Sequence, residues 1–206
     1  MPPLTSESIK SFSVQWLLFF GVLIFIFGCR QTPLPRPRGY FKIHFPTKAY
    51  QTYDNGECPF TFQYPVYGEV SKDTVFLDTL PENPCWMNLN FPTLNGTIYL
   101  SYKDISDKDD LGKLIDDAHN LTFRHTVKAD FIDESIIDNK HGVYGVLYDV
   151  GGNAASAVQF FLTDSTSHFM LGSLYFNTTP NADSLQPAVT FIKEDIIEMI
   201  KTFRWK

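Results

Sequence analysis

The order of hydrophobic and polar positions divides the chain into two unlike parts. From Val14 to Gly28 it reads VQWLLFFGVLIFIFG, fifteen residues without a charge, and starting at Ser11 the uncharged run is eighteen long. That is short of the about 20 residues a membrane-spanning helix needs. From Gly39 onward the apolar positions come in short blocks between turn formers. Tyr40–Phe45, Phe60–Tyr64, Cys85–Phe91 and Thr97–Lys103 read as strands. In the last of these Ile98, Leu100 and Tyr102 alternate with Thr97, Tyr99 and Ser101, the period of a half-buried strand. The period then changes: over Asp110–Val127, Leu111, Leu114, Ile115, Ala118 and Thr122 fall on one face of a helix. Val143–Asp164 predicts a hairpin, two alternating runs joined at Gly151-Gly152-Asn153, because such turns need positive φ. A third strand, His168–Phe176, follows a polar turn at Asp164–Ser167. A helix over 184–202 closes the chain, with Asp183 as its N-cap and Leu185, Val189, Ile192, Ile196, Met199 and Phe203 as its buried stripe.

Strands, a helix, three antiparallel strands and a closing helix predict an α+β domain, a curved antiparallel sheet with helices packed on it. This order, with the early strand Thr61-Phe62-Gln63-Tyr64-Pro65, resembles the α/β/α sandwich of the PsbP/Mog1-like fold. The resemblance implies an architecture and no function. No internal repeat and no second boundary follow residue 40, so residues 40–206 are expected to form a single domain.

The apolar N-terminal run ends at Gly28-Cys29-Arg30, and Lys10 gives it a weak positive flank offset by Glu7. A small residue before Cys after an apolar run is what lipoprotein signal peptidase requires, and Ile26 suits that site while Phe27 is bulky for it. The expectation is a signal peptide over 1–28 and lipid attachment at Cys29, two or three acyl chains giving stable anchoring. The other reading is an uncleaved anchor. Both place the body outside the cytoplasm, held to a membrane. Pro33, Pro35 and Pro37 make 29–39 an extended tether.

Composition changes the picture in two respects. Aromatic residues make up 16% of the chain, which favours half-buried strands over a helical bundle. The net charge of −6 gives a nucleic-acid role no support. Charge is also unevenly placed. Residues 29–48 hold five bases and no acid, whereas residues 49–206 hold eleven bases against twenty-two acids. Such a stalk either docks on anionic headgroups or an acidic partner, or is a solvated spacer.

Chemistry-bearing residues form few constellations. Cys58 and Cys85 each open a strand beside a proline and an aromatic, in a compartment that permits disulfides, and no C-x-x-C or histidine cluster accompanies them. A disulfide between them is expected. His44, His119, His125, His141 and His168 have no ligand spacing; His119 and His125, six apart on a helix, point roughly 120° apart. The acids Asp104, Asp107, Asp109, Asp110, Asp116 and Asp117 fail as a calcium loop, because Leu111 and Ala118 fall where ligands belong. They suit a helix N-terminus. Asp164-Ser165 and Ser167-His168 lack a nucleophile elbow and read as a turn. No catalytic residue, metal site or cofactor is assigned.

Ordered strings carry a further resemblance. Pro37-Arg38-Gly39-Tyr40-Phe41-Lys42-Ile43, Cys58-Pro59-Phe60-Thr61-Phe62 and Cys85-Trp86-Met87-Asn88-Leu89 resemble the gliding-motility lipoprotein GldD family of Bacteroidetes. So do Thr97-Ile98-Tyr99-Leu100-Ser101-Tyr102-Lys103, Leu162-Thr163-Asp164-Ser165, Leu174-Tyr175-Phe176-Asn177 and Asn181-Ala182-Asp183-Ser184-Leu185. The resemblance implies a periplasm-facing lipoprotein with a part in gliding motility and the linked type IX secretion system, GldE among its partners, and no mapped enzymatic activity. The phylum's Asp-Ser/Thr glycosylation pattern marks Thr74, Thr79 and Ser165 as O-glycosylation candidates, and also matches Ser184 in the closing helix. Two functions are expected from this: a non-catalytic factor that assembles or stabilises the machinery, or a periplasmic ligand-binding or chaperone-like module.

Overall fold

A computed structural model describes Gly39 and residues 42–72 and 83–206. Lys42–Lys206 form one compact unit. Its frame is a seven-stranded sheet of order β3-β4-β5-β9-β8-β7-β6. The strands are β3 (Glu69–Lys72), β4 (Met87–Phe91), β5 (Gly96–Asp104), β6 (Ala129–Asp138), β7 (Tyr144–Gly152), β8 (Ser156–Thr163) and β9 (His168–Phe176). Every pairing in it is antiparallel. A second, three-stranded sheet joins β1 (Tyr50–Tyr53), β2 (Phe60–Pro65) and β10 (Arg204–Trp205) in the order β1-β2-β10.

Two helices cover opposite faces of the large sheet. Helix α1 (Lys108–Phe123) connects β5 to the far edge at β6, and α2 (Ala182–Thr202) follows β9. Side-chain alternation in β8 shows the two layers. Val158, Phe160 and Leu162 join the core beneath α2 with Val189, Ile192, Ile196 and Met199. Phe161, one residue out of phase, packs with Ala118, Leu114 and Ile115 of α1. The α+β architecture expected from the pattern is therefore present as helix, sheet and helix. Aromatic rings dominate the α2 side, where Phe60, Phe62 and Phe203 stack at centroid distances of 5.6–6.2 Å. Close packing fixes at least one residue identity there: a Cβ on Gly172 would lie 2.1 Å from the Phe160 ring.

Four strands are absent from the apolar pattern. β3 and β6 are the edges of the large sheet, and β1 and β10 the edges of the small one. Their outward residues are exposed and polar, so they carry little hydrophobic period. The expected strand at Tyr40–Phe45 does not form over its described part. Residues 42–49 belong to no strand. Pro46 lacks a donor, and Phe45 instead stacks on Phe191 of α2 at 4.5 Å. The first helix ends sooner than expected, at Phe123, and Arg124–Val127 continues as a 3-10 turn. At the closing helix the cap is Asn181, whose Oδ1 accepts the Ser184 N–H, and Asp183 lies in the first turn. The Gly151-Gly152 pair ends β7, with φ of 89° at Gly152, and Asn153–Ala155 complete the turn.

Candidate functional site

The most buried acid of the described chain is Asp195, 1% exposed on the inner face of α2. A buried carboxylate needs compensation, and three groups from outside the helix supply it. Lys48 Nζ approaches Asp195 Oδ1 at 2.8 Å and Tyr50 Oη donates to the same oxygen at 3.0 Å. Tyr67 Oη donates to Oδ2 at 2.7 Å. Lys48 also donates to the Phe191 carbonyl at 2.8 Å, pairs with Glu194 at 3.1 Å and sits 4.2 Å from the centre of the Phe191 ring. Burial first, then the bond to Asp195, pushes both phenols up, so they remain donors at any physiological pH. The arrangement is a clamp: it fastens Lys48 and Tyr50, ahead of and at the start of β1, onto α2. Lys48, one of the five bases of residues 29–48, is thus used inside the body.

The polar groups of the Asp164–His168 turn and the remaining histidines are largely engaged by the fold. Asp164 Oδ1 accepts the N–H groups of Thr166, Ser167 and His168 at 2.8–2.9 Å. Partial burial opposes its ionisation, but those N–H groups and the Thr166 hydroxyl outweigh it and hold the carboxyl at about 2. Ser165 is exposed at the turn's tip with φ of 68°. His168 Nδ1 lies 2.7 Å from Tyr102 Oη, which donates to Asp104 at 2.6 Å, so the imidazole proton sits on Nδ1. The His168 ring stacks on Trp205 at 5.1 Å. His119 stacks on Phe123 at 4.1 Å, and burial pushes the His125 imidazole down. At the head of α1, Asp110 accepts the Asp107 N–H at 3.1 Å, the capping role expected for the acidic run. Among the described residues no three His, Cys, Asp or Glu side chains converge as metal ligands.

Cys58 and Cys85 are joined, with Cα atoms 5.7 Å apart. The bond ties the start of β2 to the segment entering β4, and so ties the small sheet to the large one. Cys29, Thr74 and Thr79 lie outside the described residues. Among the described residues no helix is long and apolar enough to cross a membrane.

On the α1 side, the helix leaves β4, β5 and the end of β9 uncovered. A cleft of about 900 Å³ opens there, with Leu121 of α1 on one side and the turn at Pro92–Asn95 at its end. Its floor is a cross-strand row, Asn88 opposite Tyr99 and Tyr99 opposite Ser173. The Asn88 Oδ1 atom is buried and has no hydrogen-bond partner. Tyr99 and Tyr175 meet edge to face at 5.8 Å.

The sequence profile of the gliding motility lipoprotein GldD family matches residues 30–205. This chain belongs to that family. The match covers all the described residues except Lys206, so the clamp, the disulfide and the cleft all lie on a GldD-family chain. The family is one of lipoproteins associated with gliding motility. No curated protein sequence matches the chain. Among solved structures, the solution structure of cyanobacterial PsbP (CyanoP) from Synechocystis is similar, with a TM-score of 0.41 and 11% identity over 84% of this chain and 99% of that one.

Sequence reasoning passed over Lys48, Tyr50, Tyr67 and Asp195. One signal was present: Asp195 falls three residues after Ile192 and four before Met199, an acid on the apolar stripe of the closing helix. Asn88 and Tyr99 carried no comparable mark.

Proposed function

We propose that this GldD-family chain is a non-catalytic, membrane-tethered lipoprotein needed for gliding motility and the linked type IX protein secretion, acting in assembly or stabilisation of that machinery. Residues 1–28 serve as a cleaved signal peptide, Cys29 carries the lipid, 29–39 form the tether and 40–206 a single domain facing the periplasm. The observation that carries this reading is the clamp of Lys48, Tyr50 and Tyr67 on Asp195. It spends a buried ion pair on fastening the base of the stalk, which suits a body that works through its surfaces. The polar groups a hydrolase would need are meanwhile engaged in turn and core bonds. Family membership supports the motility role. Other motility and secretion proteins, GldE among them, are the proposed partners, and Ser165, Thr74 and Thr79 the proposed sugar-bearing positions.

Single alanine substitutions test the non-catalytic role. Loss of an essential catalytic group costs orders of magnitude in rate, whereas one peripheral interface contact costs under about 1 kcal/mol. His119→Ala, His125→Ala, His168→Ala, Asp164→Ala and Ser165→Ala are expected to retain gliding and secretion at normal abundance, and deletion of the chain to abolish both. A stable, correctly placed variant with one such substitution and no motility would sink the proposal. Anchoring is tested separately by Cys29→Ser, which is expected to abolish palmitate incorporation and block maturation; unchanged labelling would show that the lipid is elsewhere or absent. Crosslinking in native membranes then identifies the partner.

A further inference from the structure

From the cleft over β4, β5 and β9 we infer a binding site for an uncharged saccharide, an inference independent of the assembly role proposed above. The cleft's volume, about 900 Å³, lies in the range of about 300–1,000 Å³ typical of small-molecule sites. Its walls offer amides, hydroxyls and aromatic rings. Asn88 and Ser173 present an amide and a hydroxyl, Asn90 and Thr97 are bonded to each other beside them, Tyr99 and Tyr175 present rings, and no acid or base lies among its lining residues. A charged ligand entering such walls loses hydration and gains no counter-charge. A purely apolar ligand leaves the amides without partners, which is also costly.

A sugar satisfies both demands. Its hydroxyls donate and accept, and the C–H face of its ring covers an aromatic face. Tyr99, 44% exposed, supplies such a face at the cleft floor. Asn88, opposite Tyr99 on the neighbouring strand, adds an amide to the same floor. The polar row does not stop at the cleft. Ser173 pairs with Gln159 of β8, fully buried, whose Oε1 accepts from Thr122 and whose Nε2 has no partner. A row of amide and hydroxyl side chains thus crosses four strands, buried at Gln159 and open at Tyr99, and its open end matches a hydroxyl-rich ligand. An extended peptide fits less well, since peptides add to strand edges through backbone bonds and this site is the face of interior strands.

The test is calorimetric titration of the full lipidated protein in lipid nanodiscs with triacetylchitotriose and with maltotriose, beside trialanine and octanol. Saturable binding of at least one trisaccharide is expected, weakened about tenfold or more by Tyr99→Ala and by Asn88→Leu. Asn88→Leu should melt at or above the wild-type temperature, because it removes an unpaired buried acceptor, so lost binding would not be lost folding. Tyr99→Ala alters a half-exposed side chain and serves alone if Asn88→Leu fails to fold. No binding of either trisaccharide would overturn the inference. So would binding that both variants leave unchanged, or binding of trialanine or octanol in place of the sugars. Loss of sugar binding with gliding intact would leave the assembly role standing.

Discussion

At the scale of single residues, the polar groups of this chain are spent on geometry. Asp164 is the clearest case. One carboxylate organises four residues of turn between β8 and β9, and three N–H donors hold its pKa well below the ordinary carboxylate value. The linkage has a definite sign. A carboxyl whose folded pKa is about 2, against an unfolded value of 3.8, stabilises the fold fully above about pH 4 and loses that contribution as the pH falls toward 2. Acid titration of unfolding midpoints should therefore show wild type approaching Asp164→Asn between pH 4 and 2, with wild type the more stable above that window. A constant gap across the window would mean that the N–H groups favour neither charge state. Asp164, Ser165 and His168, read from the sequence as a polar turn, lie near one another because they share that turn.

Among elements, the closing helix α2 does most to organise the body. Its inner face seats on β8 and β4 residues through Ile192, Ile196 and Met199, and its one buried acid receives the incoming chain. Breaking a buried ion pair by removing one partner costs about 3–5 kcal/mol when both ions are enclosed. Lys48 keeps 25% of its side chain exposed, which places its loss toward the lower end, about 3 kcal/mol. Lys48→Met is expected to lower stability by about that amount in urea unfolding, and to raise protease sensitivity at residues 42–49 first. Asp195→Asn should cost less than Asp195→Leu, because the amide oxygen still accepts from one of the two phenols and its NH2 can donate to the oxygen of the other. Equal losses for the two would show that the phenols contribute nothing. The exposed edge strand β6 shows the opposite economy: its acids Asp130, Asp133, Glu134 and Asp138 keep an open edge soluble, and Ile136 stands 91% exposed between them.

For the molecule as a whole, two sheets must be held together, and the Cys58–Cys85 bond does so beside the Phe60–Phe62–Phe203 stack. Closing a span of 27 residues is worth roughly 3–4 kcal/mol by restricting the unfolded chain. Cys58→Ala with Cys85→Ala should lower the unfolding free energy by about that much while the melt stays cooperative; an unchanged midpoint would show that the aromatic stack alone docks the sheets. Sequence by itself determined the elements with one buried face: β5 and both helices follow from period, since burial on one side imposes alternation or a helical stripe. It also determined the family, because ordered strings from the tether to Trp205 survive in one dimension. Only the tertiary structure decided the rest. Edge strands β1, β3, β6 and β10 have neighbours on one side and therefore no period to read. Residues 42–49, strand-like in composition, were drawn to α2 by Asp195, a partner some 147 positions away from Lys48. The cleft row Asn88–Tyr99–Ser173 likewise exists only in register across three strands, and contact between residues so far apart in the chain is set by packing, which no local pattern encodes.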